Sequence, residues 1–356
     1  MAAAGMTARA RPSPAVAYAL ASAALFGVST PLAKVLLGDV SPLMLAGLLY
    51  AGSGAGLTLW RLVRPAPGAG ALIERGQWPW LAGAILAGGV VAPVCLMLGL
   101  ARTPATTTSL LLNLEGVFTT GLAWFLFREH FDRRIATGMA LILAGSVALT
   151  WTGGALTLQA GSVLIALACA GWGLDNNLTQ KVSHADAARL AALKGFVAAL
   201  VNVSLATWLG HAWPAPGVIA MAMAVGFAGY GLSLVLFVVA LRHLGTARTG
   251  AYFSTAPFIG ALVSIAWLRE PVSALLLPAT ALMAAGVYLH LTERHGHAHA
   301  HEAMAHSHRH AHDAHHQHAH APGVDPRAPH THWHEHAPLT HTHPHYPDIH
   351  HRHDHG

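Results

Sequence analysis

Charged residues are scarce in this sequence. Asp, Glu, Lys and Arg make up 10% of its 356 residues, while hydrophobic residues make up 54%. Soluble domains usually carry about 25% charged residues, so this composition excludes an ordinary soluble fold. The apolar residues are grouped in runs of about 20, the length that crosses a bilayer as a helix. We therefore predict a multi-pass membrane protein.

Cysteine is also rare, since the chain has only Cys95 and Cys169, and both lie inside apolar runs. A thiol in such a run behaves as a small hydrophobe, so we predict no disulfide framework. The formal net charge of +5 comes from Lys and Arg in short connections between the runs rather than in a basic patch. This distribution argues against nucleic acid as a partner.

The apolar runs predict an all-α integral membrane protein with ten transmembrane helices. The predicted spans are 15–37, 42–63, 78–100, 105–127, 135–151, 161–181, 187–209, 217–241, 246–268 and 272–292. Residues 1–14 form a short N-terminal segment, and we expect the first span to remain uncleaved. The apolar stretch before its small-residue site, 15–20, is shorter than the roughly 7 to 15 residues of a signal peptide.

The distribution of Lys and Arg predicts the orientation. With the N-terminus inside, twelve of these residues in connections and span ends fall on the cytoplasmic side, and only Lys34, Arg102 and Arg269 fall outside. Cytoplasmic connections carry the excess of Lys and Arg, so both termini are predicted to be cytoplasmic.

The two halves of the chain repeat each other. Residues 26–34 align with residues 172–181 after one gap, and Glu129 recurs as Glu270. We call the separation between Glu129 and Glu270 the repeat spacing. Because five spans is an odd number, the halves must have opposite orientations in the membrane. Inverted repeats are common in secondary transporters, which place the substrate near the middle of the membrane between the repeats.

These features resemble the EamA family of the drug/metabolite transporter superfamily. The resemblance rests on the two five-span repeats (15–151 and 161–292), on Phe26 and Gly27 leading to Pro31 and Lys34, on the run 109–115 and on Arg128 and Glu129. It implies a membrane exporter of small metabolites with both termini in the cytoplasm. It implies no particular substrate-binding residue.

Polar side chains inside the predicted spans are candidates for a substrate or proton pathway. A charge at mid-bilayer costs about 2.5 to 3.5 kcal/mol on insertion scales, so such residues usually face a protein interior or a watery path. The candidates are Glu115, Asp175, Asn176, Asn177, Lys194 and Asn202. Asn202 fits equally a hydrogen bond that holds two helices together.

Glu115 lies about halfway along the fourth predicted span, where a carboxyl group can take up and release protons during a transport cycle. The alternative is a packing role, with a hydrogen bond to a hydroxyl such as that of Thr119. The ninth span has Ala256 and Pro257 at the corresponding place and no acid, a difference that favours the functional interpretation.

Asp175 and Lys194 are predicted to form an ion pair. Asp175 lies six residues before Lys181, and Lys194 lies seven residues after Ala187. At about 1.5 Å per residue, both lie roughly 10 Å from the cytoplasmic ends of neighbouring antiparallel spans. Opposite charges at one depth stabilise each other. The alternative is that Lys194 extends its ammonium group to the interface.

The tail, residues 295–356, is rich in histidine and has no apolar periodicity, so we predict that it is disordered. Between His290 and His355 the chain has 24 histidines. Imidazole binds zinc, nickel and cobalt, and the candidate ligands are His297, His299, His301, His306, His308, His310, His312, His315, His316, His318 and His320. The alternatives are an extension without function and a segment that binds anionic lipid when the histidines are protonated.

The sequence therefore predicts a secondary transporter that exports a small polar metabolite across a bacterial inner membrane, driven by protons or another gradient. The first alternative is an exporter of nickel, cobalt or zinc whose tail collects the metal, and the second is a membrane-bound metal buffer or sensor. We predict no catalytic residues and no required cofactor. The expected partners are the bilayer, a small-molecule substrate and divalent metal at the tail, and a homo-oligomer is left open.

Overall fold

A computed structural model describes ten parts of the chain: 14–63, 73–127, 133–151, 159–182, 187–244, 246–292, 296–301, 304–310, 330–336 and 339–344. The chain divides into two compact units, Met1–Glu293 and Arg294–Gly356. The first unit is helical and the described parts of the second are strands. The predicted boundary between the spans and the tail stays a prediction.

The first half of the helical unit contains α1 to α7. Their bounds are α1 (Pro14–Leu36), α2 (Pro42–Val63), α3 (Trp78–Ala84), α4 (Ala92–Arg102), α5 (Ala105–Leu111), α6 (Leu114–Phe127) and α7 (Arg133–Thr150). A 3₁₀ turn at Arg75–Gln77 precedes α3. A π-helical segment at Ile85–Val91 joins α3 to α4.

The second half contains α8 to α14 and repeats this order. Their bounds are α8 (Ala160–Gln180), α9 (Ala187–Trp208), α10 (Pro216–Gly226), α11 (Ser233–Leu244), α12 (Thr246–Phe253), α13 (Ala256–Leu268) and α14 (Leu276–Leu291). A π-helical segment at Phe227–Leu232 joins α10 to α11. Each predicted span coincides with a described helix or with consecutive helices.

Among the described residues, seven helical stretches are long and apolar enough to cross a membrane. The other three predicted spans differ for local reasons. The sixth, α8, carries a polar run from Asp175 to Asn177, and the tenth, α14, has only 16 residues. The fourth is divided between α5 and α6, although the ninth, which is divided between α12 and α13, is among the seven. The chain is therefore a helical multi-pass membrane protein, while the number of ten spans stays a prediction.

Helices of the two halves interleave. α1 packs mainly against α11 and α13 of the second half, and α8 packs mainly against α4 and α6 of the first. α2 packs against α9, where Gly54 and Gly195 meet with no space for a side chain between them. These two glycines are separated by the repeat spacing. The two halves are thus equivalent, and each completes its packing with helices of the other.

The backbones of α2 and α10 approach each other closely. A Cβ atom on Gly52 would overlap the carbonyl group of Met223, and one on Gly226 would overlap the carbonyl group of Leu49. Small residues allow such approaches in membranes, where dispersion contacts and not water exclusion hold helices together. This crossing fixes the position of the π-helical segment that follows Gly226.

The turn between α4 and α5 is held from two sides. Lys34 Nζ, on α1, donates to the carbonyl oxygens of Leu100 (2.6 Å) and Thr103 (3.0 Å) at the end of α4. The two carboxylate oxygens of Glu270 accept the backbone N–H groups of Ala105 and Thr106, both at 2.7 Å. Free N–H groups at a helix start and free carbonyls at a helix end need such partners. Lys34 and Glu270 therefore lie at one end of the bundle. The charge distribution had placed Lys34 and Arg269, the residue before Glu270, on the same side of the membrane.

The prediction that the tail is disordered is not confirmed. Its described parts are four strands, β1 (Gly296–His301), β2 (Met304–His310), β3 (His330–His336) and β4 (Leu339–Pro344). β1 pairs antiparallel with β4, and β2 pairs antiparallel with β3. In these segments histidine alternates with other residues, which is the period of a strand. Composition alone gave no weight to this alternation.

Candidate functional site

The predicted ion pair is present. Lys194 Nζ, on α9, contacts Asp175 Oδ1, on α8, and their side chains are 16% and 12% exposed. Thr179 Oγ1 lies 2.8 Å from Asp175 Oδ1 and 3.1 Å from Lys194 Nζ, so the hydroxyl group bridges the two charges. The equal depths of the two residues therefore correctly predicted their contact, and the alternative of Lys194 extending to the interface is wrong. The role of this ion pair in a substrate or proton pathway stays a prediction.

The ion pair packs against the π-helical segment Ile85–Val91. Gly88 packs so closely on Asp175 that it has no space for a Cβ atom, and Gly89 packs on Ala198 of α9. A π-helical turn is rare and occurs often at functional sites, because it leaves a backbone carbonyl free of its usual partner. Here the segment separates α8 from α9, and the ion pair joins them.

The carbonyl oxygen of Gly88 is shared by two aromatic side chains. Tyr50 Oη donates to it at 2.9 Å and Trp172 Nε1 donates to it at 3.0 Å. Tyr50 belongs to α2 and Trp172 to α8, so the π-helical segment connects both halves of the molecule. These bonds also satisfy the polar groups of two large side chains within the bundle.

Glu115 and the two asparagines form a second polar group. Asn176 Nδ2 donates to Glu115 Oε1 at 2.9 Å and to Thr119 Oγ1 at 3.2 Å. Asn177 Nδ2 instead donates to the backbone carbonyls of Thr119 (3.0 Å) and Gly173 (2.8 Å). Asn177 therefore holds α8 to α6, while Asn176 turns towards the carboxylate.

Asn202 is set apart from these residues. It is fully buried on α9, and its Nδ2 donates weakly to the carbonyl oxygens of Gly89 (3.3 Å) and Val90 (3.5 Å). Its Oδ1 has no protein partner among the described residues. This position favours the packing interpretation that the sequence left open, and a pathway role stays a prediction.

The structure reveals a pair of broken helices that the sequence analysis missed. α5 ends and α6 begins around Leu112 and Asn113, and α12 ends and α13 begins around Ser254 and Thr255. Asn113 and Ser254 are separated by the repeat spacing. Broken helices at matching places in two repeats mark the site of many transporters. The polar residues Asn113 and Ser254, separated by the repeat spacing, were the sequence signal that could have indicated these breaks. Glu115 lies in the first turn of α6, directly after the first break.

Aromatic rings occupy the space between the halves. The ring of Tyr230 lies 5.8 Å from that of Tyr50 and 5.9 Å from that of Phe26, between centroids. Phe253, the last residue of α12, lies 5.5 Å from Phe26 and 5.0 Å from Phe237. These rings come from both halves and meet beside the broken helices.

The two halves differ at the equivalent of the ion pair. Gly229 is the residue equivalent to Gly88 by the repeat spacing. It packs on Ser29, as Gly88 packs on Asp175. The residue equivalent to Lys194 at the same spacing is Ser53. Ser29 Oγ donates to the backbone carbonyl oxygen three residues earlier, at 2.6 Å. The charged arrangement thus belongs to one half of the repeat only.

The predicted metal ligands all belong to the tail. His297 to His310 of the list above lie on β1 and β2, where only the backbone is described, and His312 to His320 lie outside the described residues. Within the parts of the chain that the structure describes, no group of three or more His, Cys, Asp or Glu side chains could hold a metal ion. Metal binding by the tail stays a prediction.

Comparison with known families gives a match over both halves. The model of the EamA-like transporter family matches residues 13–151 and 159–292. An uncharacterised transporter of Methanothermobacter thermautotrophicus is 27% identical over 281 residues, which cover 74% of this chain and 82% of that protein.

A second relative is much shorter. It is a probable 4-amino-4-deoxy-L-arabinose-phosphoundecaprenol flippase subunit ArnE of Pseudomonas aeruginosa, 41% identical over 112 residues, which cover 30% of this chain and 93% of that protein. A solved crystal structure covers 79% of this chain and 97% of its own, with a TM-score of 0.58 and 19% identity. At that identity the likeness shows the fold alone.

Proposed function

Because the chain belongs to the EamA-like transporter family, we propose that this membrane transporter exports a small polar metabolite across a bacterial inner membrane and couples export to a proton or another gradient. The proposal includes ten spans in two inverted repeats and cytoplasmic termini. The charge distribution of the connections supports this orientation. The family indicates a transporter rather than an enzyme.

The observation that carries the proposal is the environment of Glu115. Its carboxylate is held by Asn176 next to the break between α5 and α6, at the place where helices of the two halves meet. A titratable acid in a span usually belongs to a substrate or proton path. The nearby Asp175 has Lys194 as its ionic partner, so Glu115 is the carboxyl group with greater freedom to exchange a proton.

The coupling is tested by replacing Glu115 with Gln, which keeps the size and hydrogen-bonding capacity but cannot carry a proton. Growth of a deletion strain on a panel of amino acids, toxic analogues and divalent metals identifies a substrate. We expect an imposed pH gradient to accelerate transport of that substrate about tenfold in wild-type proteoliposomes and not at all in Glu115→Gln.

The matched control is Glu74→Gln, the same change at an exposed residue four residues before the third predicted span, which should behave as wild type. If Glu115→Gln retains the response to the pH gradient, Glu115 does not carry the proton. Equal transport with and without any gradient in the wild type would contradict coupled export itself.

We propose that the tail binds zinc, nickel or cobalt, on the basis of its histidine content. Metal binding competes with protonation, so nickel titration of the full chain should show at least tenfold tighter binding at pH 7.5 than at pH 5.5. A chain ending at Arg294 should stay in the membrane and lose this binding. Retained binding after truncation, or equal binding at both pH values, would contradict the proposal.

The panel of substrates also separates the metal alternatives. Sensitivity of the deletion strain to divalent metals alone would favour a metal exporter, and loss of metal storage without any transport defect would favour a buffer or sensor. A homo-oligomer is compatible with the proposal, which places the whole path within one chain.

A further inference from the structure

Histidine occupies alternate positions in each of the four strands of the tail. Because successive residues of a strand belong to opposite faces, the histidines within one strand share a face. These residues are His297, His299, His301, His306, His308, His310, His330, His332, His334, His336, His341 and His343. The last six of them, from His330 onwards, are not among the candidate ligands predicted from the sequence.

The register of the strands places most of these histidines directly opposite one another. The pairs are His297 with His343 and His299 with His341 between β1 and β4, and His306 with His334, His308 with His332 and His310 with His330 between β2 and β3. Ten of the twelve strand histidines therefore form five cross-strand pairs.

The alternation of histidine does not by itself produce these pairs. A shift of the register by one residue would place each histidine opposite a residue of the other face. His308, for example, would then be opposite Thr331 or Trp333, which in this structure are opposite Arg309 and Ser307. The cross-strand pairs are thus a property of the register and not of the composition.

The spacing of cross-strand pairs suits a shared metal ion. Residues directly opposite each other in an antiparallel pair have Cβ atoms about 4.5 to 5.5 Å apart. Two imidazoles on one ion, with bonds of about 2.0 to 2.1 Å to zinc, need backbone positions this close. Strands that are already aligned also avoid part of the ordering cost that a free chain would pay on binding.

A strand pair of this kind also needs a partner to be stable. Each described sheet of the tail has two strands, and an isolated two-stranded sheet is at best marginally stable in water. A ligand that binds only the paired form stabilises that form by mass action. A metal ion at each histidine pair would therefore hold the strands in this register.

We propose that the cross-strand histidine pairs bind divalent transition metal, with two imidazoles and water on each ion, and that the metal holds β1 to β4 and β2 to β3. This names the ligands of the metal-binding tail proposed above and rests on that proposal. The remaining candidates of the sequence prediction, from His312 to His320, lie outside the described residues and have no part in these sites.

The alternative is that every histidine of the tail binds metal equally well. The number of bound ions would then depend only on how many histidines are present. With cross-strand pairs, it depends on which histidines are present. Variants that lose equal numbers of histidines at different positions therefore distinguish the two interpretations.

The experiment counts tightly bound nickel by isothermal titration of the full chain in lipid nanodiscs at pH 7.5, without a purification tag. The first variant removes one member of three pairs by His306→Thr, His308→Thr and His310→Thr. The matched control removes as many histidines between β2 and β3 by His315→Thr, His316→Thr and His318→Thr. Threonine favours strands, so the first variant keeps the strand propensity of β2.

We expect the first variant to lose three of the five tight sites and the control to lose none. Equal losses in the two variants would overturn the proposal. Adding the partner changes His330→Thr, His332→Thr and His334→Thr to the first variant should remove no further site, because each pair is already broken. A second loss as large as the first would also overturn it.

Hydrogen exchange tests the effect of the metal on the strands. Nickel should slow the exchange of backbone amides in all four strands of the wild type at least tenfold, and only in β1 and β4 of the first variant. Exchange that is independent of nickel would refute the role of the metal in holding the strands together.

The truncated chain separates this inference from the proposal on which it rests. If the chain that ends at Arg294 binds nickel as the full chain does, the tail is not the metal-binding segment and both proposals fail. If truncation abolishes binding while the two threonine variants lose equal numbers of sites, the tail binds metal but not through cross-strand pairs.

Discussion

Asp175→Asn and Lys194→Met should each lower the yield of folded protein from membranes severalfold, and the double variant should recover much of the loss. Removing one member of a buried ion pair leaves an unpaired charge and costs about 3 to 5 kcal/mol in soluble proteins. Both side chains here are mostly buried, and among the described residues Thr179 alone remains to bond either charge. The measurement is the folded fraction by size-exclusion chromatography after mild extraction.

The control for this cycle is Asp39→Asn, the same substitution at an exposed residue after α1. Combined with Lys194→Met it should give losses that simply add, because distant sites act independently. If Asp175→Asn and Lys194→Met also add without recovery, the two side chains do not stabilise each other and the contact carries no energy.

Gly226→Ala should reduce the stability of the protein by about 3 kcal/mol, at the upper end of the usual cost of overpacking. The added methyl group would meet the backbone of Leu49. A backbone cannot move aside as the end of a side chain can, so α2 and α10 would have to separate. Thermal unfolding in detergent, followed by the fraction that remains monodisperse, measures the change.

Gly217→Ala is the matched control because it lies at the other end of α10, and a Cβ atom there meets no atom within 4 Å. Alanine favours a helix over glycine by up to about 1 kcal/mol, so this variant should be at least as stable as wild type. Equal unfolding temperatures of the two variants would show that α2 and α10 do not approach closely at Gly226.

The contact of Asp175 with Lys194 could be predicted because it depends on local geometry alone. The rise per residue of a helix is constant, so two residues at equal distances from the ends of adjacent spans lie at equal depth. The partner of Glu115 could not be predicted in this way. Asn176 reaches Glu115 because α8 packs against α6 of the other half, and that packing is not encoded by depth.

The helix breaks and π-helical segments were missed for a related reason. The hydropathy of residues 105–127 and 246–268 predicts two continuous spans, although the helix is interrupted at Asn113 in the first and at Ser254 in the second. A break needs tertiary partners for the backbone groups it frees, and a single sequence does not show them. The repeat spacing between the polar residues at the two breaks was present in the sequence, but it acquires meaning only after the two helices are seen to be equivalent.

The hydrogen bonds that hold the turn between α4 and α5 matter for the transporter without bound substrate. Glu270 belongs to the second half, and the backbone N–H groups that it accepts belong to the first. If the halves draw apart at this end, two hydrogen bonds to a charged group break, each with a net contribution of about 1.5 to 3 kcal/mol. A combined cost of about 3 kcal/mol already reduces the population of the separated form more than a hundredfold. The two hydrogen bonds therefore favour the arrangement in which the two halves stay together at this end.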